Sequence, residues 1–298
     1  MKKPYWLDKK IDLEKNRGIK TLLRGLSLST VCENALCPNI SECFSCGTAT
    51  IMIMGTSCTR LCSFCAVDKS KPLPIDGSEP QRVKEAVLKL KLNYVVLTSP
   101  TRDDLPDGGA AHFARVVSAV KSVPGKMNPA KADVHGAIAP KAASNRVKVE
   151  ILVPDFCGNE GSFDVIAGCG AGVVAHNVET VPSLYTKVRQ GSDYTRSLGL
   201  LRYVKRVSPG TLTKSGMMLG LGETKDEVFA VMRDLLGAGV DILTIGQYLA
   251  PSSKHYPVRE YISPENFSIL EDKAMKFGFK HVQSSPYTRS SFLAADSI

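Results

Sequence analysis

Residues 49–68, ATIMIMGTSCTRLCSFCAVD, decide how this chain is read. A short, unbroken apolar run at 50–54 ends at Gly55, and a run of that length bounded by a glycine reads as a strand buried on both faces. The loop that follows, 55–68, carries Cys58, Cys62 and Cys65 in a C-x3-C-x2-C spacing. Three thiolates on a cubane 4Fe-4S cluster leave one iron without a cysteine, so this loop would offer a coordination position where chemistry can occur.

Working outward, the same alternation recurs. Strand-type runs at 50–54, 94–98, 147–153, 172–176, 213–219 and 241–247 are separated by helical periods at 79–91, 110–121, 161–167, 194–207 and 225–237. Near-continuous apolar strands alternating with helices imply a parallel sheet covered by helices. Right-handed crossovers would curl it into an α/β fold, a partial (β/α)6 TIM-type barrel. Such barrels place their chemistry at the strand C-terminal ends, where the 55–68 loop lies. The organisation expected is an N-terminal extension at 1–48, the barrel at 49–262 and a C-terminal helix and tail at 263–298. The stretch 122–146, rich in Pro, Ala and Lys with no apolar period, reads as a mobile insertion.

Upstream of the first strand stands a second triad, Cys32, Cys37 and Cys43, spaced C-x4-C-x5-C. Zinc is the alternative metal, but structural zinc sites favour paired C-x2-C knuckles that give four donors, and neither triad has its own fourth Cys or a nearby His. Cys43 and Cys46 also form a C-x2-C, a competing register. Cys157 and Cys169 have no spacing partner and read as spare or buried thiols. The first thirty residues hold no apolar signal region, and no run approaches 18 apolar residues. The expectation is therefore no secretion, no membrane span and reduced thiols, in the cytoplasm or, in a eukaryote, an organelle matrix.

With 298 residues and 43% apolar content, the chain can bury one large core. Its 38 basic and 29 acidic side chains give a net charge of +9. The basic residues are scattered, with mild concentrations at 2–20 and 121–148, and no basic run is interleaved with aromatics. That argues against a nucleic-acid platform and leaves an anionic ligand, an acidic partner protein or plain solvation.

The C-x3-C-x2-C loop after a first barrel strand resembles that of radical S-adenosylmethionine enzymes, with Phe64 as the aromatic spacer between the last two cysteines. The resemblance extends to the lipoyl synthase family through CENALCPNISEC, GTATIMIMGTSCTRLCSFCAV, RDDLPDGGA, HNVETV, TKSGMMLGLGE, VDILTIGQYL and the terminal RSSF, over about residues 22–291. It implies two 4Fe-4S clusters and S-adenosylmethionine as cofactors. Cys58, Cys62 and Cys65 would hold the cluster that cleaves the cofactor to a 5'-deoxyadenosyl radical. Cys32, Cys37 and Cys43, with Ser291 as a labile fourth ligand, would hold an auxiliary cluster dismantled to supply sulfur. The reaction implied is sulfur insertion at carbons 6 and 8 of an octanoyl chain on a lysine of an acidic carrier domain. The partners implied are octanoylated carrier domains (2-oxoacid dehydrogenase acyltransferase subunits and the glycine cleavage H protein), an external electron donor and iron-sulfur assembly proteins.

On this reading Asp107, Gly108 and Gly109 form a turn suited to contact with the cofactor's amino acid part, and Asn177, Glu179 and Glu223 lie on the catalytic rim; turn or surface roles are the alternative for each. Arg189 and Lys214 could hold carboxylate or ribose hydroxyls, or be solvated, and Arg289 could steer an anion. His176 alone of the five histidines falls near the site. Phe292 departs from the family's usual Tyr, as do Pro100 and Thr101 from its small or acidic residues. Other readings are a different radical sulfur-inserting enzyme and a non-enzymatic iron-sulfur carrier.

Overall fold

A computed structural model describes residues 2–8, 17–34, 37, 39–45, 49–125, 146–292 and 294–297. The expected 122–146 insertion falls mostly outside them, as does Cys46; its neck is closed by a bridge between Pro124 and Arg146.

The N-terminal region contributes α1 (Arg17–Gly25), β1 (Ser29–Thr30), α2 (Val31–Asn34) and α3 (Ile40–Ser45). Then come β2 (Ala49–Met52), α4 (Glu79–Lys89), β3 (Tyr94–Thr98), α5 (Ala110–Lys121), β4 (Lys148–Leu152), α6 (Glu160–Gly168) and β5 (Val173–Ala175). The chain continues through α7 (Tyr185–Val188), α8 (Tyr194–Val207), β6 (Leu212–Leu219), α9 (Lys225–Gly237), β7 (Ile242–Gln247), α10 (Pro264–Phe277) and β8 (His281–Ser285). The eight strands form one sheet in chain order. β1 pairs antiparallel with β2 (Ser29 opposite Met52), and every later pair is parallel. The six strands read from the sequence are β2 to β7; β8 adds a seventh parallel strand and β1 a short antiparallel edge.

Alternation along the strands divides the side chains. Val95, Leu97, Val149, Ile151 and Val174 join the core beneath α4, α5 and α6, while Leu243 and Ile245 join a second core with α9 and α10. Between them Tyr94 and Val96 face inward and touch Ala294 of the tail. Helix α9 shows why the local sequence commits: Thr224 and Glu227 form a reciprocal capping box, and Val228, Val231, Met232 and Leu235 give one buried stripe. Among the described residues, no helix is long and apolar enough to cross a membrane.

Candidate active site

Strand β2 delivers the loop of thiols. Its neck is closed where Ser57 bridges Asp68 and the Cys58 N–H donates to the Asp68 carbonyl at 2.8 Å. A turn joins the Cys65 N–H to the Cys62 carbonyl at 3.2 Å. The tip is tied down by bonds from the Ser63 N–H to Val188 O (3.0 Å) and from the Tyr256 N–H to Ser63 O (2.9 Å). Within the loop Arg60 is buried and pairs with Asp103 at 2.8 Å and Asp155 at 2.5 Å, and Arg196 takes the other Asp155 oxygen at 2.8 Å. Burial opposes charge on both partners, but these pairs outweigh it, raising the Arg60 pKa and holding the Asp155 carboxyl well below its usual range. The loop is thereby anchored to the segments that follow β3 and β4.

The second triad comes from α2, α3 and the link between them. The Cys37 N–H donates to Cys32 O at 2.9 Å and the Cys43 N–H to Asn39 O at 3.0 Å, so the backbone winds around the thiols. All three, together with Cys65, line one cavity of about 450 Å³. Burial pushes the Cys32 thiol up to about 12, with Cys37 and Cys43 adding to the shift. Burial likewise pushes Cys62 up to about 11 and raises Cys65. Neutral thiols are thus favoured until a cation takes the place of the protons, so the donor set fits a metal group. Among the described residues, no three His, Cys, Asp or Glu side chains are already drawn together around a single metal ion.

The C-terminal tail returns to this cavity. The Asn39 side-chain amide donates to Tyr287 O at 2.6 Å, Thr50 Oγ1 donates to Ser291 Oγ at 2.8 Å, and Ser290 Oγ donates to Asn177 Oδ1 at 2.8 Å. Thr50 is buried beside Cys32 and pulls its pKa down against the effect of burial, so one buried residue stands between a cysteine of the triad and the tail serine. Gly246 has no side chain because the Thr288 carbonyl oxygen lies 2.0 Å from where a Cβ would stand. Arg289 also lines the cavity, where burial lowers its pKa against the opposing pull of Cys37 and Glu179.

Of the residues singled out from sequence, Phe64, Asn177, Glu179 and Ser291 line the cavity with the thiols. Glu179 adopts a left-handed φ of 66° and accepts from Asn177 at 3.1 Å; burial raises its pKa. Asp107, Gly108, Gly109, Arg189 and Glu223 do not line it, and their polar groups are engaged in the fold. Asp107 accepts from the Gly109 and Ala111 N–H groups at the start of α5, and Glu223 from those of Gly220 and Leu221. Gly108 packs against Phe156. Arg189 donates to the Tyr185 hydroxyl at 2.8 Å and Ser197 at 3.1 Å. His176 donates from Nδ1 to Val153 O at 2.7 Å, and burial together with nearby Arg189 lowers it to about 3, so the ring is neutral. Lys214 sits inside the barrel, paired with Glu150 at 3.0 Å. Arg60, Thr50, Asn39 and Gly246 escaped the sequence reading; none belongs to a metal-ligand spacing, and their partners lie far away in the chain.

A parallel barrel whose first loop carries three such thiols has the form of a radical SAM enzyme, and the family model described as the Radical SAM superfamily matches residues 52–235. Among solved structures, the chain resembles Streptococcus suis SuiB bound to S-adenosylmethionine, with a TM-score of 0.58 at 11% identity over 91% of this chain and 61% of that one. It also resembles methylornithine synthase, with a TM-score of 0.54 at 16% identity over 90% of this chain and 74% of that one. Both likenesses concern the fold. Curated relatives are closer: a lipoyl synthase of Trichlorobacter lovleyi is 50% identical over 99% of this chain and 98% of its own. Another, from Caldanaerobacter subterraneus subsp. tengcongensis, is 49% identical over 99% and 96%. The chain belongs to the lipoyl synthase family, radical SAM sulfurtransferases that use 4Fe-4S clusters and S-adenosylmethionine.

Proposed function

We propose that the chain inserts two sulfur atoms, at carbons 6 and 8, into a protein-bound octanoyl chain, with its two thiol triads dividing the labour. Cys58, Cys62 and Cys65 hold the cluster that works with S-adenosylmethionine, and Cys32, Cys37, Cys43 and Ser291 hold the auxiliary cluster. The observation that carries this reading is that the whole upstream triad, Cys65 of the loop triad and the tail serines line one cavity. Its volume, about 450 Å³, lies within the roughly 300–1,000 Å³ of small-ligand sites. Bound together, the loop cluster and S-adenosylmethionine supply one-electron chemistry that removes hydrogen from an unactivated carbon, and the auxiliary cluster supplies sulfur.

The protein's own part is position and dryness. Phe64, Leu152, Met218 and Leu249 offer an apolar wall for an alkyl chain and exclude water from the reacting carbon. Asn177, Glu179 and Arg289 provide the polar groups of the same wall, suited to the cofactor's amino and carboxylate groups. The thiols lose their protons as metal binds, and the Thr50 hydroxyl, aimed at Ser291 Oγ, steadies that oxygen once its own proton has gone. We assign residues 1–48 to the auxiliary-cluster extension, 49–262 to the barrel and 263–298 to the returning helix and tail.

The substrate is an octanoylated carrier domain, and the net charge of +9 favours encounter with acidic carriers such as acyltransferase subunits of 2-oxoacid dehydrogenases and the glycine cleavage H protein. An external electron donor and iron-sulfur assembly proteins complete the cycle, in a cytoplasm or organelle matrix that keeps thiols reduced. Anaerobic turnover with an octanoylated carrier domain and a chemical reductant, followed by mass spectrometry of the modified lysine, tests the reading. Gain of two sulfur atoms is expected; deoxyadenosine formation with an octanoyl group that gains no sulfur contradicts it.

A further inference from the structure

Buried charges that the proposed reaction does not use converge on Met54, the residue where the chain leaves β2 for the thiol loop. Met54 has a φ of 63°, a left-handed conformation that a methionine avoids unless its surroundings impose it. Its N–H donates to both oxygens of Glu79, at 2.9 and 3.2 Å, and its carbonyl accepts from Arg102 Nη1 at 3.1 Å. Its thioether is confined as well, since a Cβ at Gly109 would stand 2.3 Å from Met54 Sδ.

Both charged groups are themselves held from behind. His112 meets Glu79 Oε2 at 2.6 Å through Nε2, and Arg115 meets His112 Nδ1 at 3.1 Å; a ring protonated at Nε2 satisfies both contacts. Arg102 forms a two-pronged pair with Asp104, each bond 2.8 Å. Glu79, Arg102 and His112 are all buried. The grips come from three places: the first turn of α4, the segment after β3, and α5. Each charge keeps one partner behind it, and the bonds that remain to both end on the backbone of one residue, four positions before Cys58.

We propose that Glu79 and Arg102 are positioning residues for the thiol loop, gripping the N–H and C=O of left-handed Met54 and so fixing where Cys58, Cys62 and Cys65 stand. The consequence for catalysis rests on the assignment of those thiols to the S-adenosylmethionine cluster, while the positional effect does not.

The test is site-resolved alkylation of the full-length apo chain by iodoacetamide in native buffer, read peptide by peptide. Glu79→Ala removes a charge-assisted bond and should raise the rates at Cys58, Cys62 and Cys65 about tenfold. Rates at Cys169 and at Cys32, Cys37 and Cys43 should stay at the parent value. Glu79→Gln retains an acceptor for the Met54 N–H and should restore most of the protection. In the reconstituted enzyme Glu79→Ala should raise the KM for S-adenosylmethionine about tenfold, as expected when a reacting group is displaced, with iron on the upstream triad unchanged. Parent rates at the loop thiols, or a rise shared equally by Cys169 and the upstream triad, would overturn the proposal. Should Glu79→Ala fail to fold, Arg102→Met removes the other grip and is read by the same two criteria. Altered alkylation in an enzyme that inserts no sulfur would sink the functional reading and leave the clamp standing.

Discussion

Replacing Gly246 by Ala perturbs the returning tail and little else. Gly246 has no positive φ, so strand β7 accepts an alanine without backbone strain. The new Cβ would lie 2.0 Å from the Thr288 carbonyl oxygen, where about 3.0 Å is the closest approach real structures show, so the tail must retreat by about 1 Å. Carried three residues on, that retreat stretches the 2.8 Å bond between Thr50 and Ser291 past hydrogen-bond reach. Two other side-chain bonds, Asn39 to Tyr287 and Ser290 to Asn177, share the displacement. At about 1 kcal/mol each, losing all three shifts tail docking by roughly 3 kcal/mol, or about a hundredfold. The assay follows deoxyadenosine and inserted sulfur in the same anaerobic reaction. Sulfur insertion should fall about a hundredfold, the scale on which a 1 Å misplacement acts, while cofactor cleavage, which feels only the accompanying shift of Arg289, should fall about tenfold. Sulfur insertion at the parent rate, or an equal loss of both activities, would refute the reasoning.

Three further outcomes follow from other parts of the molecule. Lys214→Met strands the fully buried Glu150 carboxylate, whose remaining partner is the Tyr94 hydroxyl at 2.5 Å. Breaking such a pair costs about 3–5 kcal/mol, so the apo protein's Tm should fall by roughly 6–12 °C and recover largely in the Lys214→Met, Glu150→Leu double variant; a thermal melt checks this. Asp155, whose pKa is depressed in the folded state by Arg60 and Arg196 against the effect of burial, stabilises the fold above its unfolded pKa of about 3.9, and that contribution is lost as pH falls below it. Asp155→Asn should therefore be less stable at neutral pH and show a flatter acid limb in a denaturation series from about pH 6 to about pH 2. Raising salt from about 0.05 to about 0.5 M should weaken use of an acidic octanoylated carrier while barely changing use of a short octanoyl-lysine peptide, because screening acts on extended fields; comparison of the two KM values decides it.

The barrel was legible because its information is local. Helices α5, α8 and α9 begin and end where periodicity placed them, and the structure shows caps at the starts of two: Asp193 accepts from the Arg196 N–H, and Thr224 pairs reciprocally with Glu227. β8 was not read, since HVQSS alternates over five residues with only Val282 large and apolar, and β1 is two residues long. The thiol spacings were legible for the same local reason. The return of Ser291 was reached only through family resemblance, because its partner Thr50 lies 241 positions away. Asp107 was read in a turn and Glu223 on the catalytic rim; in the structure both carboxylates accept from nearby backbone N–H groups. Whether their carboxylates face a cofactor or their own backbone depends on three-dimensional packing. Glu79 and Arg102 look like ordinary surface charges in a sequence, and Lys214 like a ligand contact or a solvated charge; only the fold brings them to Met54 and Glu150.

The central claim, one cavity served by two thiol triads with separate duties, is tested most directly by counting iron and products after removing each triad. The parent should hold about eight irons after anaerobic reconstitution, as two 4Fe-4S clusters require. With Cys58, Cys62 and Cys65 all changed to Ala, about four irons should remain and no deoxyadenosine should form. With Cys32, Cys37 and Cys43 changed instead, about four irons and cofactor cleavage should remain while no sulfur reaches the octanoyl chain. A triad variant that keeps all eight irons, or sulfur insertion without the upstream triad, would contradict the account.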